Sequence, residues 1–150
     1  MKNFRTAAIV VASAIALGTM ASGLAHAADP AGTWWTADRK GKVKIVNCGG
    51  AICGTLTWLA EPNDPATNKP KTDKNNKDQS KQGRPLIGVP IVLSMKPSGG
   101  DTWEGQVYNA EDGGIYTGSF TMSGANAALL KGCVMGGLIC KSQAWTRAAN

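Results

Sequence analysis

Lys42-Val43-Lys44-Ile45-Val46-Asn47-Cys48-Gly49-Gly50-Ala51-Ile52-Cys53-Gly54-Thr55-Leu56-Thr57-Trp58 is the stretch whose reading decides the fold. Its first part alternates, with Val43 and Ile45 on one face and Lys42 and Lys44 on the other, which is the period of a half-buried strand. Its last part alternates again, setting Leu56 and Trp58 opposite Thr55 and Thr57. Between them a glycine-rich link closes a hairpin.

The same grammar runs outward in both directions. Short β-rich runs recur at Gly32–Thr36 (A), Lys42–Cys48 (B), Cys53–Ala60 (C), Pro85–Met95 (D), Thr102–Asn109 (E), Ile115–Met122 (F), Ala128–Val134 (G) and Ile139–Arg147 (H). Gly, Pro, Asn or Asp separates them, and no helical period is sustained after residue 28. Eight sequential, mostly hairpin-linked strands predict an all-β, antiparallel up-and-down barrel, with a two-sheet sandwich as the other arrangement. Glycines inside strands, at Gly54, Gly105, Gly118 and Gly132, favour the bending that closure needs. Pro90 and Gly88 in D call for an edge, bend or bulge.

One segment breaks the pattern. Residues 61–84, between C and D, hold Pro62, Pro65 and Pro70 and a run of Asn, Asp, Lys and Gln. Loops beyond about 12–15 residues are usually functional or disordered. Lys69, Lys71, Lys74, Lys77, Lys81 and Arg84 face only Asp73 and Asp78 here, yet no aromatic is interleaved, so nucleic acid is not the expected partner. A solvated loop is the plain reading; an envelope protein or anionic surface is the alternative.

The N-terminus reads as an export signal. Lys2 and Arg5 precede an uncharged run from Thr6 to Met20, and Ala25-His26-Ala27 is a small-x-small cleavage pattern. Cleavage after Ala27 predicts one barrel domain over residues 28–150, periplasmic or secreted, with no transmembrane segment. It also removes His26, the only histidine, and lowers the formal surplus of +6 by two. Histidine-dependent triads, dyads and zinc or haem sites are thereby excluded from the mature chain.

Cys48, Cys53, Cys133 and Cys140 allow three disulfide connectivities. Two local pairs are favoured, because each flanks a glycine-rich turn and facing strand positions bring Cβ atoms within reach. A four-thiolate zinc site competes, against its usual tighter spacing.

Several further features are more specific than a Gly-x-Trp triplet. Gly32-Thr33-Trp34 opens the first strand and Gln143-Ala144-Trp145-Thr146-Arg147 ends the last; between them stand Cys48-Gly49-Gly50, Thr72-Asp73 with Asn75-Asn76, Arg84-Pro85-Leu86-Ile87-Gly88, and Tyr108 with Glu111-Asp112-Gly113. In this order they resemble an uncharacterised bacterial family of exported, lipocalin-like small barrels, the domain of unknown function DUF2147. The resemblance covers residues 30–147. It implies a barrel in which Trp34 and Arg147 form a closing pair, and an envelope location, but no catalytic residue. In that context Asp73, Asn76 and Arg84 are expected to fasten the long loop across the barrel mouth. The Cys133/Cys140 pair stands outside the family pattern.

Three functions remain in view. The first is a non-enzymatic protein holding a small apolar or amphiphilic, fatty-acid-like ligand, with Trp58, Trp103, Tyr108, Tyr116 and Phe120 as candidate wall and Arg84 as candidate partner for its head group. The second is a side-chain-filled structural or interaction module of the envelope that uses the basic loop. The third is a carboxylate enzyme pairing Glu104 or Glu111 with Asp101 or Asp112, although all of these sit in or beside turns. The oxygen-rich run Asp73-x-Asn75-x-x-Asp78 lacks the glycine and closing glutamate of a calcium loop, so neither a metal nor a cofactor is expected.

Overall fold

The computed structural model describes residues 28–149; the expected signal segment and its cleavage point lie outside them. Eight strands form a closed barrel, each hydrogen-bonded to the next and the last to the first. They are β1 (Gly32–Trp35), β2 (Gly41–Asn47), β3 (Ile52–Leu59), β4 (Pro90–Gly99), β5 (Thr102–Asn109), β6 (Gly114–Met122), β7 (Ala127–Val134) and β8 (Ile139–Arg147). All pairings are antiparallel. Up-and-down order therefore puts the β1–β2, β3–β4, β5–β6 and β7–β8 connections at one end. The β2–β3, β4–β5 and β6–β7 turns lie at the other.

Strand D starts later than its sequence pattern indicates, at Pro90 rather than Pro85. Pro85 instead bridges Thr72, and the Leu86 amide donates to the Lys71 carbonyl (2.9 Å), so this stretch completes the long loop. Proline then takes the first position of the strand, where no ladder donor is missed. Irregularity falls within β4 around Ser94, which has φ 50° between the Leu93 and Lys96 pairings.

One end is filled. Trp34, Phe120, Ile45 and Met95 are fully buried, and Trp145 nearly so. The Trp34 and Phe120 rings meet edge-on at 5.5 Å, and Phe120 meets Trp145 at 6.2 Å and Trp103 at 6.4 Å. Such edge-to-face pairs add about 0.5–1.5 kcal/mol each beyond their area. Trp34 Nε1 donates to the Pro30 carbonyl (2.9 Å), so the segment before β1 runs beneath this floor.

Above the floor lies a row of three glycines. Gly105, Gly118 and Gly132 face one another across β5, β6 and β7. A Cβ on Gly105 would come within 2.8 Å of the Met95 backbone, and one on Gly118 within 2.6 Å of the Lys131 carbonyl. The missing side chains let the strands close tightly there. They also end the packed layer, and the barrel is open beyond them.

Two disulfides, Cys48–Cys53 and Cys133–Cys140, clip opposite ends of the barrel. Their thiols are thus unavailable for zinc. The first spans the β2–β3 turn at the filled end, the second the β7–β8 turn at the open end.

Candidate functional site: a cavity at the open end

Strand alternation decides what faces inward. Val107 pairs with Tyr116, and both share a face with Trp103, Phe120 and Leu130. Of these, Val107, Tyr116 and Leu130, together with Val43, Leu56, Leu59 and Ile91, wall a cavity of about 1180 Å³, whose inner limit is Trp145. That is at or above the usual 300–1,000 Å³ of small-molecule pockets. The wall is mostly apolar because every second residue of these strands is.

Polar groups gather toward the mouth. Along β8, Lys141 borders the cavity nearer the mouth, whereas Gln143 borders its inner end, where its Oε1 accepts from Trp145 Nε1 (3.2 Å). Tyr116 also borders the cavity and gives its hydroxyl to Asp112 Oδ2 (2.6 Å). That bond is the main influence raising the Tyr116 pKa. Burial acts to raise the Asp112 carboxyl, but hydrogen bonds from Tyr116, the Gly114 amide and Asn109 hold it below its ordinary value. Residues 64–75 of the long loop border the mouth as well, where Lys71 meets Glu61 at 3.5 Å.

The loop is fastened by a buried polar knot. Asp73 is fully buried and accepts from the Tyr108 hydroxyl (2.5 Å), Asn76 Nδ2 (2.8 Å) and Arg84 Nε (3.0 Å). Arg84 Nη2 adds an ion pair at 2.8 Å. Burial pushes the Asp73 carboxyl upward, yet these donors hold it below the ordinary range. Burial, reinforced by the Asp73 charge and hydrogen bond, pushes the Tyr108 phenol up to about 12. Beyond the knot, Asn75 Nδ2 donates to the Glu111 carbonyl (2.8 Å). The loop can lie against the β5–β6 turn because residue 113 is glycine: it has φ 70°, and a Cβ there would collide with the Asn75 carbonyl.

The candidate contacts named from the sequence thus occupy different places. Tyr116 stands at the cavity. Trp103 and Phe120 belong to the filled floor. Tyr108 alternates with inward Val107 and meets the cavity only at its rim, its hydroxyl being held by Asp73 and Asn76. Arg84 is not in the wall: its guanidinium is spent on Asp73 and lies 5.9 Å from the Tyr108 ring. Trp58 is on the outside, 38% exposed and edge-on to Trp35 at 5.4 Å. The cause is a bulge, since Val43 pairs with Leu56 but Lys42 pairs with Trp58, skipping Thr57 and reversing the face. Trp34 and Arg147 are direct register partners, with the guanidinium 4.4 Å from the ring.

Among the carboxylates, Asp101 receives the Ala28 amide at the filled end (3.2 Å), whereas Asp112 is engaged with Tyr116 at the open end. In the oxygen-rich run Asp73 is enclosed by the knot, and Asp78 instead caps the turn at Ser80 and pairs with Lys81 (3.0 Å). Lys141, Gln143, Leu59 and Leu130 are cavity residues that sequence reasoning passed over. The available signal was the placement of Lys141 and Gln143 on the same strand face as Trp145.

An eight-stranded up-and-down barrel with one packed end and one open end is a lipocalin-like barrel. The chain belongs to the family described as an uncharacterized protein conserved in bacteria (DUF2147), which matches residues 32–147. A solved structure with the same architecture is that of protein HP1028 from the human pathogen Helicobacter pylori, described as belonging to the lipocalin family. It is similar at a TM-score of 0.70 and 18% identity, over 82% of this chain and 85% of that one. A search of the curated proteins finds no match.

Proposed function

We propose that the protein is a non-enzymatic carrier or sensor of one elongated apolar or amphiphilic molecule, fatty-acid-like in shape, bound with its tail toward Trp145. The observation that carries this reading is the cavity itself: about 1180 Å³, mostly apolar, with a packed floor and its charged groups gathered toward the mouth. A carboxylate or phosphate head would meet Lys141 rather than Arg84, whose charge is already matched. The two disulfides and the bacterial family support an extracytoplasmic setting, where a dilute, poorly soluble metabolite needs such a carrier.

Titration with a saturated long-chain fatty acid, read by tryptophan fluorescence and native mass spectrometry, tests this. The expected result is a one-to-one complex and a change in emission, because Trp145 lines the bound chain. Leu59→Trp adds bulk to the wall and narrows the cavity while leaving the knot and floor intact, and is expected to weaken binding about tenfold or more, on the scale of losing one buried side chain's contacts. Absence of a complex with fatty acids and lysophospholipids alike overturns the reading.

A further inference from the structure

The β7–β8 turn is unlike the other connections. Cys133-Val134-Met135-Gly136-Gly137-Leu138-Ile139-Cys140 has no charged, hydroxyl or amide side chain, although turn tips usually carry them. Met135 is 69% exposed, Leu138 82% and Ile139 56%. Met135 even holds φ 53°, in the left-handed region where Gly or Asn is the usual occupant. A covalent bridge closes the base of this tip. A rigid apolar finger therefore projects from the open end, and Val134 and Ile139 at its base border the cavity mouth.

A second feature lies across the β8–β1 seam. Trp35 and Trp58 stack edge-on outside the barrel, with Lys42 Nζ 4.3 Å from one ring and 5.2 Å from the other, and the Arg39 guanidinium 5.6 Å from Trp35. The seam is short. Only Trp34–Arg147 and Trp35–Thr146 are paired, and β8 from Ile139 to Ala144 has no partner on that side. The apolar finger and the Trp–Lys–Trp cluster thus flank one opening.

Among the described residues, Arg39, Lys42, Lys69, Lys74 and Lys141 at this end enter no ion pair. The acids there are fewer than the cations: Asp38, Asp64 and Asp112 are hydrogen-bonded within their own turns, Glu61 pairs with Lys71, and Glu111 is exposed, against these cations together with Lys40 and Lys71. Free cations around an apolar tip and amphipathic tryptophans complement an anionic lipid surface, into which such a tip inserts while the cations meet head groups. A protein partner fits less well. Standard interfaces take about 800 Å² from each side, far more than three tip side chains offer.

We propose that the open end is a membrane-docking surface. The Met135–Ile139 finger inserts shallowly into an anionic phospholipid bilayer, and Trp35, Trp58 and the unpaired cations sit at its interface. The seam then faces the lipid. This goes beyond the reading of the cavity, and it survives a blocked cavity.

Flotation of the purified protein with vesicles of phosphatidylcholine, alone or with about one third phosphatidylglycerol, tests it. Wild-type protein is expected to float with the anionic vesicles, and several-fold less at high salt. Leu138→Asp, at the most exposed position, is expected to cut binding about tenfold or more with unchanged thermal unfolding. Leu59→Trp is expected to float like wild type, separating this surface from the cavity. Failure of the wild type to bind either vesicle, or equal binding by Leu138→Asp, overturns the proposal. So does a wild-type dimer that Leu138→Asp dissociates without any vesicle binding, which would assign the finger to self-association.

Discussion

Asp73 is the residue on which the long loop turns. It has no exposure of its own, and every hydrogen bond that holds it charged comes from the loop or from Tyr108. Its folded pKa lies below the ordinary value, so its contribution to stability is present above the unfolded value of about 3.9 and is lost as pH falls through the lower folded one. Tyr108 runs the other way. Its pKa is raised to about 12, so its contribution is full below about 10 and disappears as pH rises from there through 12. That rise corresponds to about 2–3 kcal/mol. Thermal unfolding against pH is therefore expected to be flat through neutrality, with an acid arm below pH 4 and an alkaline arm above pH 10. Tyr108→Phe removes a hydrogen bond to a buried charge and should be less stable by about 1.5–3 kcal/mol at neutral pH, and should lose most of the tyrosine part of the alkaline arm. An unchanged alkaline arm in that variant would remove Tyr108 from the account.

At the scale of elements, the strands were legible because alternation survives wherever one face is buried. β5 and β8 match their sequence-read bounds, and the β6 face carrying Tyr116, Gly118, Phe120 and Met122 is the inward one. Trp58 was not legible. Its alternation with Leu56 looks perfect in the sequence, and only the skipped residue at Thr57 turns it outward. A bulge is a property of two paired strands, and one strand's pattern carries no trace of it. Arg84 is legible only in part: the sequence offers it both as a loop fastener with Asp73 and Asn76 and as a partner for a ligand's head group, and only the folded contact shows its charge matched by Asp73. The cysteines show the reverse case, since local spacing sufficed. The Cys133–Cys140 bridge closes a short loop, for which chain entropy gives about 2–3 kcal/mol. Replacing both cysteines with serine is expected to lower the unfolding free energy measured in urea by that amount or less. It should also leave the β5–β6 amides as protected from hydrogen exchange as before, because the clip acts at the open end. Loss of protection there would mean that the tip supports the whole barrel.

The whole molecule divides into a packed half that carries stability and an open half that is shaped for something else. Closure is the weak step, since β1 and β8 share only two register pairs. What reinforces the seam is Arg147. Its Nη1 and Nη2 donate to the Ala31 and Asp29 carbonyls and its Nε to the Ala125 carbonyl, all at 2.7 Å, while the guanidinium covers Trp34. One side chain thereby joins the last strand, the β6–β7 turn and the segment beneath the floor. The contact is so close that a Cβ on Gly32 would strike Nη1. Removing this group should act globally, unlike loss of the tip disulfide. Charged hydrogen bonds contribute about 1.5–3 kcal/mol each but not additively, and the stacked cation adds about 1. Arg147→Ala is therefore expected to cost roughly 3–5 kcal/mol in urea unfolding, a large share of a small domain's stability. Arg147→Lys should recover only a minor part, because an ammonium cannot span three carbonyls in one plane. Hydrogen exchange locates the effect: in Arg147→Ala, amides of β1 and β8 should lose protection together with those of β5–β7. Loss confined to β1 would show that the remaining seven strands hold as an open sheet, and that closure is not what stabilises the floor.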